Sequence, residues 1–205
     1  MRKFRIFIDQ EKEEKWLEEM LQKGYHLEDT SFGYKFRKTK PQDRTIKIDY
    51  RIFNEQVDFM DYCTLFEDSG WKHIVGNKSS GKQYFIKAYE NGNEDIFSDE
   101  LSRASKYKRL STRCLRTGIG YLPLFLVLIY TKVINVEALY NPMHLYLNKE
   151  IWEMQGLSFW TLFLLETPFA ILRGLLWYFF PVSIILYIYF YLKAKKLYRL
   201  IPVEK

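Results

Sequence analysis

The chain has 205 residues, of which 48% are hydrophobic and 27% charged, which excludes a disordered or low-complexity protein. Two cysteines, Cys63 and Cys114, exclude a disulfide framework and read as reduced thiols. The net charge of +6 is not spread over the chain: residues 98–116 hold six basic and two acidic side chains and residues 193–205 hold five and one, while 1–97 and 117–192 each stand at −1. Each basic segment abuts a long apolar run, the pattern of cytoplasmic membrane flanks rather than of a nucleic-acid surface.

The first hundred residues are organised by a repeat. Phe4, Ile6 and Ile8 alternate as in a strand, and Asp9 is placed to cap a helix that carries Trp16, Leu17, Met20 and Leu21 on one face. Gly24 stops this helix, and two short strands follow, around residues 26–31 and 34–38, turning at Gly33. Ile46, Ile48 and Tyr50 begin the second copy. Asn54 is its expected helix cap, Phe59, Tyr62, Cys63 and Phe66 form the apolar face, Gly70 is the stop, and strands lie around residues 73–76 and 83–88. Two copies of strand, helix and strand pair predict an α+β, ferredoxin-like domain over residues 1–97, with one antiparallel sheet carrying both helices on one face. A basic linker helix over 98–116, with Ser98 as N-cap, then runs into the apolar segments.

The first apolar segment, 117–136, has fifteen uncharged residues between Arg116 and Lys132, and Lys132 can snorkel to extend it. The second, 174–192, has nineteen uncharged residues between Arg173 and Lys193. Basic side chains flank both, so both termini are expected in the cytoplasm with two transmembrane helices between them, in a multi-pass protein of the cell membrane. Residues 137–173 are then an external loop, in which the apolar stretch 155–172, with Glu166 and Pro168, is expected to be interfacial or re-entrant. The basic tail is 193–205. The expected lipid-headgroup contacts are Arg103, Lys106, Lys108, Arg109, Arg113 and Arg116 before the first crossing and Lys193, Lys195, Lys196 and Arg199 after the second.

Candidate chemistry is sparse. Residues 76–82 read GNKSSGK, but Gln83 stands where a phosphate-binding loop needs Ser or Thr, and a strand rather than a helix is expected to follow, so these residues read as a hairpin turn. His26, His73 and His144 have no metal-ligand spacing; His26 and His73 stand just after Gly24-Tyr25 and Gly70-Trp71, as equivalent positions of the repeat. The acidic run Glu11, Glu13, Glu14, Glu18 and Glu19 reads as a solvated helix face. Strand aromatics such as Tyr34, Phe36 and Tyr84 could stack nucleic acid, but residues 1–97 carry no net positive charge. No catalytic constellation, cofactor, metal or small-molecule substrate is indicated, and the chain is not expected to be an enzyme.

The segments EEKWLEEMLQKGYHL, SFGYKF, DYR, YCTLFEDSGWKHI and YFIKA carry a likeness. Over residues 1 to about 110 the chain resembles domain-of-unknown-function family 2812. The resemblance implies a bacterial membrane protein with a variable membrane tail, of a kind often encoded beside PadR-type transcriptional repressors. It carries over no catalytic residue. The expected function is a membrane-anchored regulatory or sensory protein whose cytoplasmic domain binds a protein partner, such as a PadR-type regulator, with no direct nucleic-acid contact. The alternative is an accessory subunit of a membrane transport or immunity complex.

Overall fold

A computed structural model describes residues 1–89, 95–97 and 99–202. The chain divides into two units, Met1–Thr112 with Phe190–Lys205, and Arg113–Tyr189.

The first unit is α+β. Its elements follow the order β1 (Arg2–Lys3), α1 (Gln10–Gln22), β2 (Tyr25–Asp29), β3 (Tyr34–Lys38), β4 (Ile46–Tyr50), α2 (Gln56–Asp68), β5 (Trp71–Val75), β6 (Lys82–Lys87). The repeat of strand, helix and strand pair is therefore present, but the single sheet is not. The strands form two three-stranded antiparallel sheets, β1-β3-β2 and β4-β6-β5. Nor do the helices share a face. Trp16, Leu17, Met20 and Leu21 of α1 pack with Leu27, Tyr34 and Phe36 of the first sheet and with Ile46, Ile48, Val75, Tyr84 and Ile86 of the second. Helix α2 sits on the other face of the second sheet, where Tyr62 meets Phe53, Trp71 and Phe85. Burial follows this placement: α1 buries seven of its thirteen residues, as a helix covered on two sides must, and α2 buries Tyr62 alone.

Local signals set the ends of these elements. The Asp9 carboxylate accepts the Lys12 N–H at 3.4 Å and caps α1. Gly24 and Gly70 stop the two helices at φ 79° and 86°. At Gly24 a Cβ would stand 2.7 Å from the Thr39 carbonyl oxygen, so only glycine fits. Two expected features do not form. The alternation from Phe4 to Ile8 yields no strand: β1 is only Arg2–Lys3, before it, and Phe4 and Ile6 are 66% and 84% exposed. The chain leaves the sheet after Lys3, and the out-of-phase Phe7 packs instead on Trp16 and Tyr34. Asn54 does not cap α2: Glu55 is the N-cap residue, without a side-chain bond, and the Asn54 carbonyl accepts from Lys78.

Helix α3 (Glu100–Tyr130) and helix α4 (Gly156–Leu200) are both long and apolar enough to cross a membrane. The expected cap Ser98 lies outside the described residues; Asp99 accepts the Ser102 N–H at 2.7 Å at the start of α3. The apolar segment expected to reach Val136 stops at Tyr130. Lys132 turns to φ 58°, and the N–H groups of Lys132 and Ile134 bond the carbonyls of Ile129 and Leu128, which ends the helix. Residues 156–172 are not a separate re-entrant element. They are the first turns of α4, whose 45 residues run about 67 Å, roughly twice a bilayer core.

Within the second unit, three short 3-10 turns, Val136–Leu139, Pro142–Leu145 and Lys149–Glu153, lie along α4. Glu166 of α4 accepts the N–H groups of Leu147 and Asn148, Arg173 donates to the Leu145 carbonyl, and the Tyr178 hydroxyl donates to the Ala138 carbonyl at 2.7 Å. Glu166 thus has a structural partner set, which the sequence did not identify. Tyr146 stacks on Phe163, and Trp152 meets both rings edge-on.

Leu17→Ala empties a site enclosed by both sheets and is expected to cost about 3–5 kcal/mol, whereas Leu65→Ala on the exposed side of α2 changes stability by less than about 0.5 kcal/mol. Denaturant unfolding of the detergent-solubilised chain, followed by protease resistance of the first unit, measures the difference.

Candidate functional site

Strand β4 is an edge strand, and its outward peptide groups need partners. Ile46, Ile48 and Tyr50 turn their N–H and C=O groups away from β6. Glu18 of α1 accepts the Ile46 N–H at 2.9 Å, and Glu14, one turn earlier, accepts the Ile48 N–H at 3.0 Å. The Tyr50 N–H bonds the Asp49 carboxylate at 2.7 Å. The carbonyls are met from α3: Lys106 Nζ donates to Ile48 O at 3.4 Å and Arg109 Nε to Tyr50 O at 2.5 Å. Side chains of two helices thus stand where a neighbouring strand would be.

The same cations neutralise the carboxylates that cap the edge. Lys106 lies 3.3 Å from Glu14, and Arg109 lies 2.5 Å from Asp49, which also accepts from the Tyr62 hydroxyl at 2.9 Å. Arg103, one turn before Lys106, pairs with Glu11 at 3.0 Å and approaches Asp95 at 4.0 Å. Positions 103, 106 and 109 form one stripe of α3, and Ala104, Tyr107 and Ser111 on the adjoining face are buried.

This placement corrects one of the expected headgroup contacts. Lys106 is only 2% exposed, whereas Arg103 and Arg109 pair with carboxylates of the folded domain and stay more than a third exposed. A lysine paired inside protein is not at a lipid surface. Lys108, Arg113 and Arg116 are exposed on α3, as are Lys193, Lys196 and Arg199 on α4; Lys195 donates to the Tyr191 hydroxyl at 2.8 Å. The acidic run is likewise only partly a solvated face. Glu11 and Glu18 are partly buried and bonded, Glu13 and Glu14 are buried, and Glu19 alone is exposed. Apolar spacing marked α1 as one-sided, so nothing in its sequence announced the second buried side except the carboxylates themselves, at Glu14 and Glu18.

A second polar cluster lies between the sheets. Buried Glu13 accepts from the hydroxyls of Tyr34 at 2.6 Å and Tyr84 at 2.7 Å, and it pairs with Lys82. Burial, with the Glu13 charge adding to it, holds both phenols well above their usual range. Burial and Asp49 do the same to Tyr62. Burial also pushes the Glu14 carboxyl up, against the pull of Lys106 and Lys47. Desolvation therefore dominates at Glu14, and its charge is tolerable only while Lys106 stays beside it.

The remaining expectations resolve locally. Residues 76–81 are a turn between β5 and β6: the Asn77 carboxamide accepts the Ser79 and Ser80 N–H groups, and strand β6 follows. The two histidines are not equivalent. Each half carries the same bulge, between Leu27 and Asp29 in β2 and between His73 and Val75 in β5, three residues after the helix-stop glycine. Register therefore matches His73 to Leu27 and His26 to Lys72. One residue of offset reverses the face. His73 packs on Phe59 and Phe85 under α2 and bonds Gln83 at 3.1 Å, and burial lowers its pKa; His26 takes the opposite face of its own sheet.

Lys106→Ala leaves Glu14 buried without its closest cation and is expected to destabilise the first unit by about 3–5 kcal/mol, while Lys108→Ala, two positions on and exposed, changes little. Comparison of the two variants' denaturation midpoints checks this. The three raised phenols and that of Tyr107, which burial and then Glu11 also raise, set a pH dependence. Their contribution is whole below the unfolded tyrosine value of about 10 and is lost as pH rises from there toward the higher folded values. Thermal stability should fall from about pH 10 upward, and Tyr62→Phe should flatten that fall relative to the parent chain.

No curated protein and no solved structure matches the chain. One family matches, over residues 9–119, a span that runs from the α1 cap Asp9 through the α3 stripe of Arg103, Lys106 and Arg109 into the apolar part of that helix. The match takes in every residue of the β4 edge lock, and the chain belongs to the family described as "Protein of unknown function (DUF2812)".

Proposed function

We propose that the chain is a membrane-anchored regulatory or sensory protein whose α+β domain lies in the cytoplasm and binds a protein partner, with a PadR-type transcriptional regulator as the first to test. One observation carries the reading. Helix α3 supplies Lys106 and Arg109 to the core of the first unit, and the same helix continues into the apolar run after Arg116. The helix that carries the first apolar segment thus begins among the domain's own hydrogen bonds, a feature that suits a device coupling membrane and cytoplasm. The exposed cations Lys108, Arg113, Arg116, Lys193, Lys196 and Arg199 flank the apolar segments and support a cytoplasmic location for both termini, with anionic headgroups nearby. In this topology 174–192 crosses the membrane and the 3-10 turns between the helices face outward.

A second reading, an accessory subunit of a membrane transport or immunity complex, is favoured by α4. Its large apolar side chains are exposed from Leu157 to Leu192, more helix than one crossing covers, and a neighbouring membrane protein would cover the surplus.

Affinity purification of the tagged full-length protein from native membranes in mild detergent, with mass spectrometry, separates the two. Stoichiometric recovery of a cytosolic transcription factor supports the regulatory reading, and recovery of an integral membrane complex overturns it. The topology has its own check. In a chain lacking Cys63 and Cys114, a cysteine placed at Lys149 should react with a membrane-impermeant maleimide in intact cells, and cysteines at Lys15 or Lys196 should not.

A further inference from the structure

Strands β2 and β5 are the facing edges of the two sheets, and they come within 8 Å of each other, Cα to Cα, without pairing. A cavity of about 450 Å³ opens at this junction. Leu27, Ile74 and Ile86 give it an apolar lining, and Arg37 of β3, Arg44 before β4 and Lys72 of β5 contribute three cations. Its one lining carboxylate, Glu28, is already held by Lys35 at 2.8 Å.

The two arginines stand apart from the rest. Residues 1–112 contain seven. Arg103 and Arg109 are in ion pairs, and Arg2, Arg5 and Arg51 lie over aromatic rings. Among the described residues neither Arg37 nor Arg44 forms a close ion pair, a hydrogen bond or a ring contact; Arg37 acts on Glu28 only at longer range, behind Lys35, in holding that carboxyl below its usual range, and both arginines line this cavity. Lys72 is in the same condition. Three like charges around one concavity repel one another and gain from a multivalent anion. A guanidinium fork matches phosphate oxygens in pairs. The volume falls in the range of small-molecule sites, and the apolar lining suits more than a bare ion.

We propose that this cleft binds a small soluble molecule bearing a phosphate group, with the phosphate on Arg37, Arg44 and Lys72 and the organic part against Leu27, Ile74 and Ile86. The repeat builds the site: it exists because the two halves bring equivalent edge strands together without joining them. An effector held there would touch both sheets at once. The proposal does not depend on which protein the domain binds.

Inorganic pyrophosphate, titrated calorimetrically into the full-length protein in neutral detergent micelles, tests the phosphate half of the site. The expected result is saturable binding that weakens by roughly tenfold or more in R37A/R44A and is unchanged in K15A, an exposed lysine of α1 away from the cavity. Both arginines are exposed and unbonded, so the double variant should keep the parent's thermal unfolding midpoint, which confirms that its fold is intact. Absence of saturable binding up to about 10 mM overturns the proposal. So does equal binding by parent and R37A/R44A. If the double variant instead loses only its retention of phosphatidylglycerol in mixed micelles, the cations serve a lipid surface and the proposal is likewise overturned.

Discussion

A strand at the edge of a sheet exposes a row of peptide donors and acceptors, and a domain that buries such an edge must supply partners for it. Here β4 is buried along its free edge, and the partners are carboxylates from α1 and cations from α3. The acids accept the strand's N–H groups, the bases donate to its carbonyls, and acid and base then neutralise each other. Removing any one member strands the others: Glu14 without Lys106 is a desolvated charge, and Ile48 without Glu14 is a buried unpaired donor. Within the first unit, the seating of α1 against the second sheet and of the first turns of α3, up to Thr112, both depend on this one ladder of side chains.

The ladder also explains why the two halves of the repeat are alike in order and unlike in burial. Both have strand, helix and strand pair, both stop the helix with a glycine at positive φ, and both carry a bulge at the same distance from that glycine. Yet α1 is enclosed between sheets while α2 covers an outer face. An enclosed helix next to a strand edge can spend its polar positions on that edge, which is what Glu14 and Glu18 do. An outer helix has no such use for them, and Asp58, Asp61 and Glu67 of α2 form no ion pair among the described residues.

Element order, both glycine stops, the Asp9 cap and the hairpin at residues 76–81 were legible because each rests on a local rule. Family membership was legible from the same residues. The single sheet was not obtainable that way, since strand pairing is a long-range choice and a two-repeat pattern fits either one sheet or two. The role of Lys106 within the basic segment 98–116 is hidden for a related reason. Positive charge beside an apolar run has the same appearance whether it meets headgroups or buried carboxylates. The period of three from Arg103 through Lys106 to Arg109, set against Glu11 and Glu14 on α1, carries the distinction, but only once the two helices are known to be neighbours. Residues 155–172 were set apart from the second crossing on account of Glu166 and Pro168. The helix runs through both, because the Glu166 carboxylate finds backbone donors at Leu147 and Asn148.

Chain order gives the β4 edge lock a consequence in time. Glu14, Glu18 and all of β4 are synthesised before α3, so the edge stays open until Lys106 and Arg109 have left the ribosome. The apolar run beginning after Arg116 follows Arg109 by about two helical turns. Completion of the domain and emergence of the apolar run therefore fall in the same short interval of translation, and a chain halted before α3 would present an uncapped strand edge.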